Sequence, residues 1–154
     1  NPMKYLLLTL LLFSLGGSGE SEVYEGELLN VDGLVYKPRS LEPFTGKNVL
    51  WHRNSQLLRK GGYRDGKEDG LWEFYWNNGQ LENKGNYKDG NRDGLWEYYH
   101  ENGQPWAKGS YKDGKEDGLW ECYEECYEKD GSVSEDYPKC YQNGKEVNLS
   151  ICKQ

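Results

Sequence analysis

Isoleucine is almost missing from this sequence: Ile151 is the only one among 154 residues. Methionine occurs once, as Met3, and histidine twice, as His52 and His100. Too few leucine and valine residues remain outside the N-terminal segment to fill the interior of a domain. A conventional core of Leu, Ile and Val is therefore excluded, and another kind of residue must provide the buried surface.

Positive charge is also in deficit, with 19 Lys and Arg against 26 Asp and Glu and a formal net charge of -7. Nucleic-acid binding begins with a basic surface that faces the phosphates, so no nucleic-acid partner is expected. Anionic lipid surfaces attract basic segments for the same reason, and lipid binding is disfavoured.

Glycine and aromatic residues are abundant instead. The chain has 20 Gly, 13 Tyr, 6 Trp and 3 Phe, and glycine is at roughly twice its average usage. Disordered segments are poor in aromatic residues, so this composition argues for an ordered protein. Its length allows one domain of ordinary size.

The N-terminal segment has the pattern of a secretory signal peptide. Lys4 precedes an apolar run from Leu6 to Leu15, and small residues follow it. A helix needs about 20 apolar residues to span a membrane, and this run is shorter. We expect residues 1–19 to be a signal peptide and the protein to be exported to the periplasm, the cell envelope or the medium. The alternative is a buried N-terminal strand or helix. Ser18 stands where a lipoprotein signal needs cysteine, so no lipid anchor is expected.

An internal repeat with a period of 24 residues organises the chain. Residues 63–73, 87–97 and 111–121 read YRDGKEDGLWE, YKDGNRDGLWE and YKDGKEDGLWE, with eight of eleven positions identical in all three. A degenerate copy precedes them, in which Asn48 stands at the tryptophan position. Periods of this length are typical of repeat folds.

Each period contains signals for a β-hairpin. Asn-Gly favours tight two-residue hairpin loops, and aromatic residues favour the flanking strands. A two-residue loop at Asn78-Gly79 predicts four residue pairs: Trp72 with Gly85, Phe74 with Asn83, Trp76 with Leu81, and Glu73 with Lys84. A loop at Asn102-Gly103 predicts the same register, with Trp96 opposite Gly109 and Glu97 opposite Lys108.

The Asp-Gly segments would join successive hairpins into an antiparallel meander with one aromatic and one charge-paired face. On the aromatic face a tryptophan would cover the glycine of the next strand, and on the other Glu73 would pair with Lys84. A single-layer sheet must cover such an aromatic face by curling, stacking or binding a partner.

Four cysteines, Cys122, Cys126, Cys140 and Cys152, favour disulfides in an exported chain, with zinc as the alternative. After the duplicated ECYE segment, Tyr127, Asp130, Gly131 and Val133 match Tyr75, Asn78, Gly79 and Leu81 of the earlier repeat. A two-residue turn at Asp130-Gly131 would place Cys122 opposite Lys139, next to Cys140. Residues four apart on one strand are too far apart to be bridged. We therefore predict the disulfides Cys122–Cys140 and Cys126–Cys152.

The segment EPFTG at residues 42–46, with the following NGQL and YKDGKxDGLWExY periods, resembles the MORN-variant repeat proteins of bacteria. Many of these carry the label of YwqK-type antitoxins of toxin–antitoxin systems. The resemblance covers residues 31–123. It implies an all-β fold, an antiparallel meander or solenoid of 24-residue β-hairpin repeats, and binding rather than catalysis.

The domain organisation follows from these observations. Residues 1–19 are the predicted signal peptide, 20–45 an N-terminal lead-in or cap, 46–123 the β-repeats and 124–154 a cysteine-rich C-terminal cap. No pattern of a catalytic motif is present, and no catalytic, cofactor-binding or metal-binding residues are predicted. The acidic loops at Asp65, Glu68 and Asp69 leave calcium as an alternative, but turn residues explain Asp-Gly equally well.

The predicted function is a non-catalytic exported protein that binds another protein, with an antitoxin- or immunity-like role. Trp and Tyr dominate protein interfaces, so the aromatic face is the candidate surface. The alternative is a cell-envelope module that binds a carbohydrate or choline on the same face. The sequence leaves the partner and the oligomeric state open. The candidate residues are Trp72, Phe74, Trp76, Trp96, Tyr98, His100 and Trp120.

Overall fold

The computed structural model describes residues 22–123, 126–127, 133–134, 138–149 and 152. The described chain is nearly all β, as the repeat pattern predicts. The predicted signal peptide lies outside the described residues, as does the turn at Asp130-Gly131.

Fifteen strands make up the described fold. Three short strands precede the first hairpin of the repeat array: β1 (Val23–Glu25), β2 (Leu29–Val31) and β3 (Leu34–Tyr36). The array contains β4 (Gly46–Trp51), β5 (Leu57–Arg64), β6 (Lys67–Glu68), β7 (Gly70–Tyr75), β8 (Leu81–Lys88), β9 (Asn91–Tyr99), β10 (Pro105–Lys112) and β11 (Lys115–Cys122). The remaining strands are β12 (Cys126–Tyr127), β13 (Val133–Ser134), β14 (Lys139–Gln142) and β15 (Lys145–Val147).

One sheet of 11 strands contains most of these elements. Its strand order is β1-β4-β5-β7-β8-β9-β10-β11-β14-β15, and β6 pairs with β5. Neighbouring strands are antiparallel except that β1 runs parallel to β4, so the sheet as a whole is mixed. The repeat strands from β4 to β11 form the predicted antiparallel meander. Two-stranded sheets of β2-β3 and β12-β13 complete the described fold.

The two kinds of glycine turn form different loops. At Asp89-Gly90 both residues have positive φ, and Lys88 pairs with Asn91 across a two-residue loop. At the Asn-Gly turn, Gln80 pairs with Trp76 instead, which leaves Asn77, Asn78 and Gly79 in a three-residue loop. The predicted two-residue loop is therefore wrong. Only Gly79 has a positive φ there, as expected for a type I turn followed by a glycine bulge.

A β-bulge then restores the predicted register. The extra residue Glu82 lies between two pairs, Tyr75 with Leu81 and Phe74 with Asn83. The predicted pairing of Trp76 with Leu81 is therefore wrong. Beyond the bulge, the pairs of Phe74 with Asn83, Glu73 with Lys84 and Trp72 with Gly85 are confirmed. In the next hairpin the pairs of Trp96 with Gly109 and Glu97 with Lys108 are also confirmed.

Each tryptophan covers a glycine of the preceding strand, opposite in direction to the prediction. Gly85 lies between Trp72 on one side and Trp96 on the other. A methyl group added to Gly85 would collide with the indole of Trp96. The indole N–H of Trp96 also donates to the Asn86 carbonyl, at 3.1 Å. The same arrangement recurs for Trp72 on Gly61 and Trp120 on Gly109.

On the opposite face, lysine likewise pairs with the glutamate of the strand that follows it. Lys84 contacts Glu97 at 2.8 Å, and Glu73 receives its 2.6 Å contact from Lys60. The predicted bridges Glu73–Lys84 and Glu97–Lys108 are thus wrong, although both pairs lie opposite each other in register. Tryptophan and lysine therefore join the second strand of one hairpin to the first strand of the next.

The turns of successive repeats form a second set of contacts along both sheet margins. At one margin, the Gly90 amide donates to the Glu68 carbonyl at 2.9 Å, and the Gly114 amide donates to the Arg92 carbonyl at 3.0 Å. At the other margin, the side-chain amide of Asn78 donates to the Glu101 carbonyl at 2.8 Å. The 24-residue period is thus required by backbone-level stacking as well as by packing.

The first repeat is modified where the parallel strand joins the sheet. Asn48 is only 1% exposed at the position that tryptophan occupies in later copies. Its amide donates to the carbonyls of Tyr24 and Gly26, at 3.0 and 2.9 Å. Phe44 lies nearby in a buried cluster with Tyr63 and Trp72. A polar residue thus replaces the indole so that β1 can be held at the sheet edge.

The C-terminal strands continue the repeat array with a longer connection. Tyr141 pairs with Gly118 as Tyr111 pairs with Gly94, so one strand is offset by 24 residues and the other by 30. The Gly144 amide donates to the Glu116 carbonyl at 2.7 Å, as the equivalent glycines do. Tyr127 pairs with Val133 in β12-β13, as the matching residues Tyr75 and Leu81 pair in β7-β8. The predicted two-residue turn would instead set Tyr127 opposite Ser134, so that register is wrong by one residue.

This longer connection overturns both predicted disulfides. Cys140 lies opposite Leu119, and Lys139 lies opposite Trp120 rather than Cys122. Cys140 is bonded to Cys152, with their Cα atoms 6.0 Å apart. Cys122 is disulfide-bonded as well, and the side chain of Cys126 lies outside the described part. The prediction placed the last strand two residues out of register because the connection is longer than the ECYE duplication alone.

We predict that Gly85→Ala lowers the free energy of unfolding by about 2–3 kcal/mol, because the new methyl group would displace the Trp96 indole. Asn86→Ala, one residue along the same strand and on the opposite face, is the matched control. Urea unfolding followed by tryptophan fluorescence measures both. A loss for Gly85→Ala no larger than that of the control would contradict the packing described.

Candidate binding surface

The predicted candidate residues divide into a buried and a half-buried group. Trp72, Trp96 and Trp120 are 1%, 0% and 8% exposed. Their indoles pack against glycines and neighbouring rings, so they are not available as a contact surface. The other predicted residues, Phe74, Trp76, Tyr98 and His100, are of intermediate exposure.

The buried tryptophans belong to a continuous chain of rings along the sheet. Trp96 meets Tyr87 and Tyr111 edge-on, with ring centroids 5.2 and 6.2 Å apart. Trp72 and Trp120 have equivalent edge-on neighbours in Tyr63 and Tyr111, at 5.0 and 5.3 Å. Aromatic rings favour such geometry because the positive edge of one ring faces the negative face of the other. These rings supply the core that the missing aliphatic residues could not.

Trp106 is an aromatic residue of this face that the sequence reasoning missed. It is the extra residue of a bulge, between the pairs of Tyr99 with Pro105 and Tyr98 with Ala107. Simple alternation places it on the charged face, but its ring lies 5.8 Å from Tyr98 and 6.2 Å from His100. Trp106 occupies the same place in its repeat as the bulge residue Glu82. The constant spacing from the Asn-Gly turn was the sequence signal for this position.

A half-exposed aromatic patch results from these positions. We use this name for Phe74, Trp76, Tyr98, His100 and Trp106. The indole N–H of Trp76 donates to the Tyr99 carbonyl at 3.2 Å, which fixes that ring at the margin of the sheet. Such preorganised rings lose little conformational entropy on binding, which favours a protein interface.

Arg92 reverses the charge that its position carries in the adjacent repeats. It occupies the position of Glu68 and Glu116 in the adjacent copies. One guanidinium nitrogen donates to the hydroxyls of Tyr98 and Tyr111, at 3.0 and 3.2 Å. The guanidinium also lies over the Trp96 ring, 4.3 Å from its centroid. The cation thereby caps the most deeply buried tryptophan.

Burial raises the pKa of tyrosine hydroxyls on this face. Desolvation raises the pKa of Tyr63 to about 12. Desolvation also raises the pKa of Tyr98, and its hydrogen bond with Tyr111 acts in the same direction. Both hydroxyls are therefore protonated at neutral pH and available only as neutral hydrogen-bonding groups.

The acidic loops serve as turns. Asp65, Asp89 and Asp113 all have φ of 49–50°, the left-handed conformation that aspartate tolerates in tight turns. Among the described residues, no group of three or more His, Cys, Asp or Glu side chains could hold a metal ion. The turn interpretation therefore accounts for the repeated Asp-Gly pairs.

Two segments of the chain match the model of a known repeat family. The model of the MORN repeat variant family matches residues 68–89 and 92–113. These are two adjacent repeats. A search of curated proteins found no match to the chain. MORN repeats generally mediate protein or membrane interactions and are generally non-catalytic. Within the described residues, no helix is long and apolar enough to cross a membrane.

We predict that the free energy of unfolding declines between pH 10 and pH 12. The pKa of Tyr63 is about 12 in the folded protein and 10 in the unfolded chain. Its contribution to stability is therefore fully present below pH 10 and is lost as the pH rises to about 12. Tyr63→Phe removes that titration and should flatten the decline. Urea unfolding midpoints and tyrosinate absorbance across this range measure both effects. Titration of Tyr63 together with exposed tyrosines would contradict the assigned burial.

We predict that Arg92→Glu lowers the free energy of unfolding by about 1–3 kcal/mol, although glutamate is the residue of both adjacent repeats. The variant loses two charge-assisted hydrogen bonds and the stacking on Trp96. A double-mutant cycle with Tyr98→Phe should show non-additive losses, since the two residues share a bond. Strict additivity would show that the network contributes nothing beyond its separate members.

Proposed function

We propose that the chain is a non-catalytic, exported protein that binds another protein through the aromatic patch, in an antitoxin- or immunity-like role. The observation that carries this proposal is the set of half-exposed rings on one face of the sheet, beside a packed interior. Trp106 contacts both Tyr98 and His100, and Phe74 contacts the buried Trp96. Tyr98 also packs against Trp96, but each ring of the patch keeps part of its surface open to a partner. Aromatic residues in such positions are typical binding hot spots.

The proposal keeps the predicted organisation of the chain. Residues 1–19 act as a signal peptide, 20–45 as a lead-in, 46–123 as the repeats and 124–154 as the C-terminal cap. The bond between Cys140 and Cys152 is compatible with an oxidising, exported location. An immunity role in the cell envelope would then concern a toxin that acts or arrives there.

The alternative, a choline- or carbohydrate-binding module, is less well supported. A cage for a quaternary ammonium needs open aromatic faces. Arg92 already lies over the rings of Trp96 and Tyr111, at 4.3 and 5.3 Å. Arg59 lies over the Trp72 ring at 5.8 Å. The chain thus supplies its own cations to the rings that would form the cage.

We predict that the variant Phe74→Ala/Trp106→Ala loses its protein partner, with affinity reduced at least about tenfold, because both rings lie within the patch. Trp51→Ala is the matched control, since Trp51 is 51% exposed on the opposite face. Cross-linking and affinity capture from the envelope fraction compare the three proteins. A toxin-like neighbouring gene supplies a defined partner, whereas a cell-wall locus favours the alternative.

Circular dichroism and urea unfolding confirm that each variant is folded before its binding is compared. Loss of the partner by Trp51→Ala but not by the double variant would place the interface on the other face. Retention by both variants would show that the aromatic patch binds no protein.

A further inference from the structure

The face opposite the aromatic patch carries a row of alternating charges. Lysine and glutamate follow each other strand by strand in continuous register across six neighbouring strands. We call this the charge row, and it is neutral overall. It consists of Lys60, Glu73, Lys84, Glu97, Lys108 and Glu121.

A second row on this face alternates large and small side chains. Leu71 and Leu95 are 55% and 52% exposed, and Leu119 is 36% exposed. They point outward because the adjacent tryptophans point inward, as strand alternation requires. The positions between them hold small or polar residues: Leu71 lies opposite Asn86, and Leu95 lies opposite Ser110. We call this the leucine row. It consists of Gly62, Leu71, Asn86, Leu95, Ser110 and Leu119. Unlike the charge row, it is interrupted by bulges between Asn86 and Leu95 and between Ser110 and Leu119.

Both rows are self-complementary because each has an even number of alternating positions. A two-fold axis parallel to the strands, between β8 and β9, reverses the order of each row in a second copy. The charge row then sets every lysine against a glutamate, with Lys84 facing Glu97 of the second copy. An odd number of positions would instead set like charges against each other.

The same axis sets every leucine against a smaller residue. Leu95 faces Asn86 of the second copy, and Leu71 faces Ser110. Leu119 faces Gly62, where a groove of about 560 Å³ is lined by Val23, Val49 and Leu71 among others. Gly62 is the smallest of the three intervening residues, so the deepest hollow lies where Leu119 would insert.

We propose that this face is the interface of a homodimer, in which two copies pack their leucine and charge rows face to face. Such an interface is isologous, since each copy contributes the same surface. Packed sheets lie about 10 Å apart and about 30° from parallel, so the closest contacts fall near the axis. Leu95, Lys84 and Glu97 are therefore the residues on which association depends most.

This interface is separate from the aromatic patch, so a dimer and a bound partner are compatible. Each lysine of the row contacts one glutamate and one tyrosine of its own chain. An ammonium group has three donors, so one remains for a glutamate of the second copy. The inference does not rest on the proposed function, and it is tested with the chain alone.

Sedimentation of the full chain over a range of concentrations tests the dimer. The wild type should sediment as a dimer that dissociates on dilution. Leu95→Glu should raise the dissociation constant at least about 100-fold, because a two-fold interface carries the buried charge twice. Leu41→Glu is the matched control, since Leu41 is 97% exposed outside both rows, and it should associate as the wild type does.

Charge reversal gives a second test that a folding defect cannot imitate. Lys84→Glu and Glu97→Lys should each weaken self-association, because like charges then meet at the axis. An equal mixture of the two variants should form heterodimers, since the four central residues become complementary again. The double variant Lys84→Glu/Glu97→Lys should also regain self-association.

Three results would overturn the proposal. The first is a wild type that sediments as a monomer at concentrations up to roughly 1 mM, because its dissociation constant would then be too high for a specific dimer. The second is a dimer that Leu95→Glu leaves intact. The third is a mixture of the charge variants that associates no better than either variant alone.

Discussion

The fold depends on the packing of one indole ring across one glycine. Trp96 lies over Gly85 and donates its N–H to the next carbonyl of the same strand, and Trp72 and Trp120 repeat this on their own glycines. A single-layer sheet has no second layer to bury its apolar face against. The tryptophans provide that layer from within the sheet, which requires a residue without a side chain beneath each ring.

The two faces then acquire different tasks. Edge-on tyrosines and the Arg92 guanidinium complete the packing on the aromatic face, so that Trp96 is 0% exposed there. The opposite face carries the paired charges, the outward leucines and further rings, such as Tyr75 and Tyr123, over which Lys60 and Lys108 lie. The strict period repeats these outward residues along the sheet, and the six alternating positions of the charge row are what the proposed dimer depends on.

The repeat, the hairpins and the pairing of Trp72 with Gly85 could be predicted from sequence, because period and turn residues specify them. The direction of covering could not. In an antiparallel sheet Gly85 has a tryptophan on each side, and only the side-chain rotamer decides that Trp96 covers it. Loop length was misjudged because Asn-Gly suits two hairpin types, and a bulge at Glu82 concealed the difference. The bulge at Trp106 likewise moved that ring into the aromatic patch.

NMR chemical shifts of the glycine Hα protons test the central claim most directly, since a proton beneath an indole face is shielded by the ring current. The account predicts strong upfield shifts for the Hα protons of Gly61, Gly85 and Gly109, and ordinary shifts for Gly33 and Gly70, which have no side chain near them. Ordinary shifts at Gly61, Gly85 and Gly109 would contradict it.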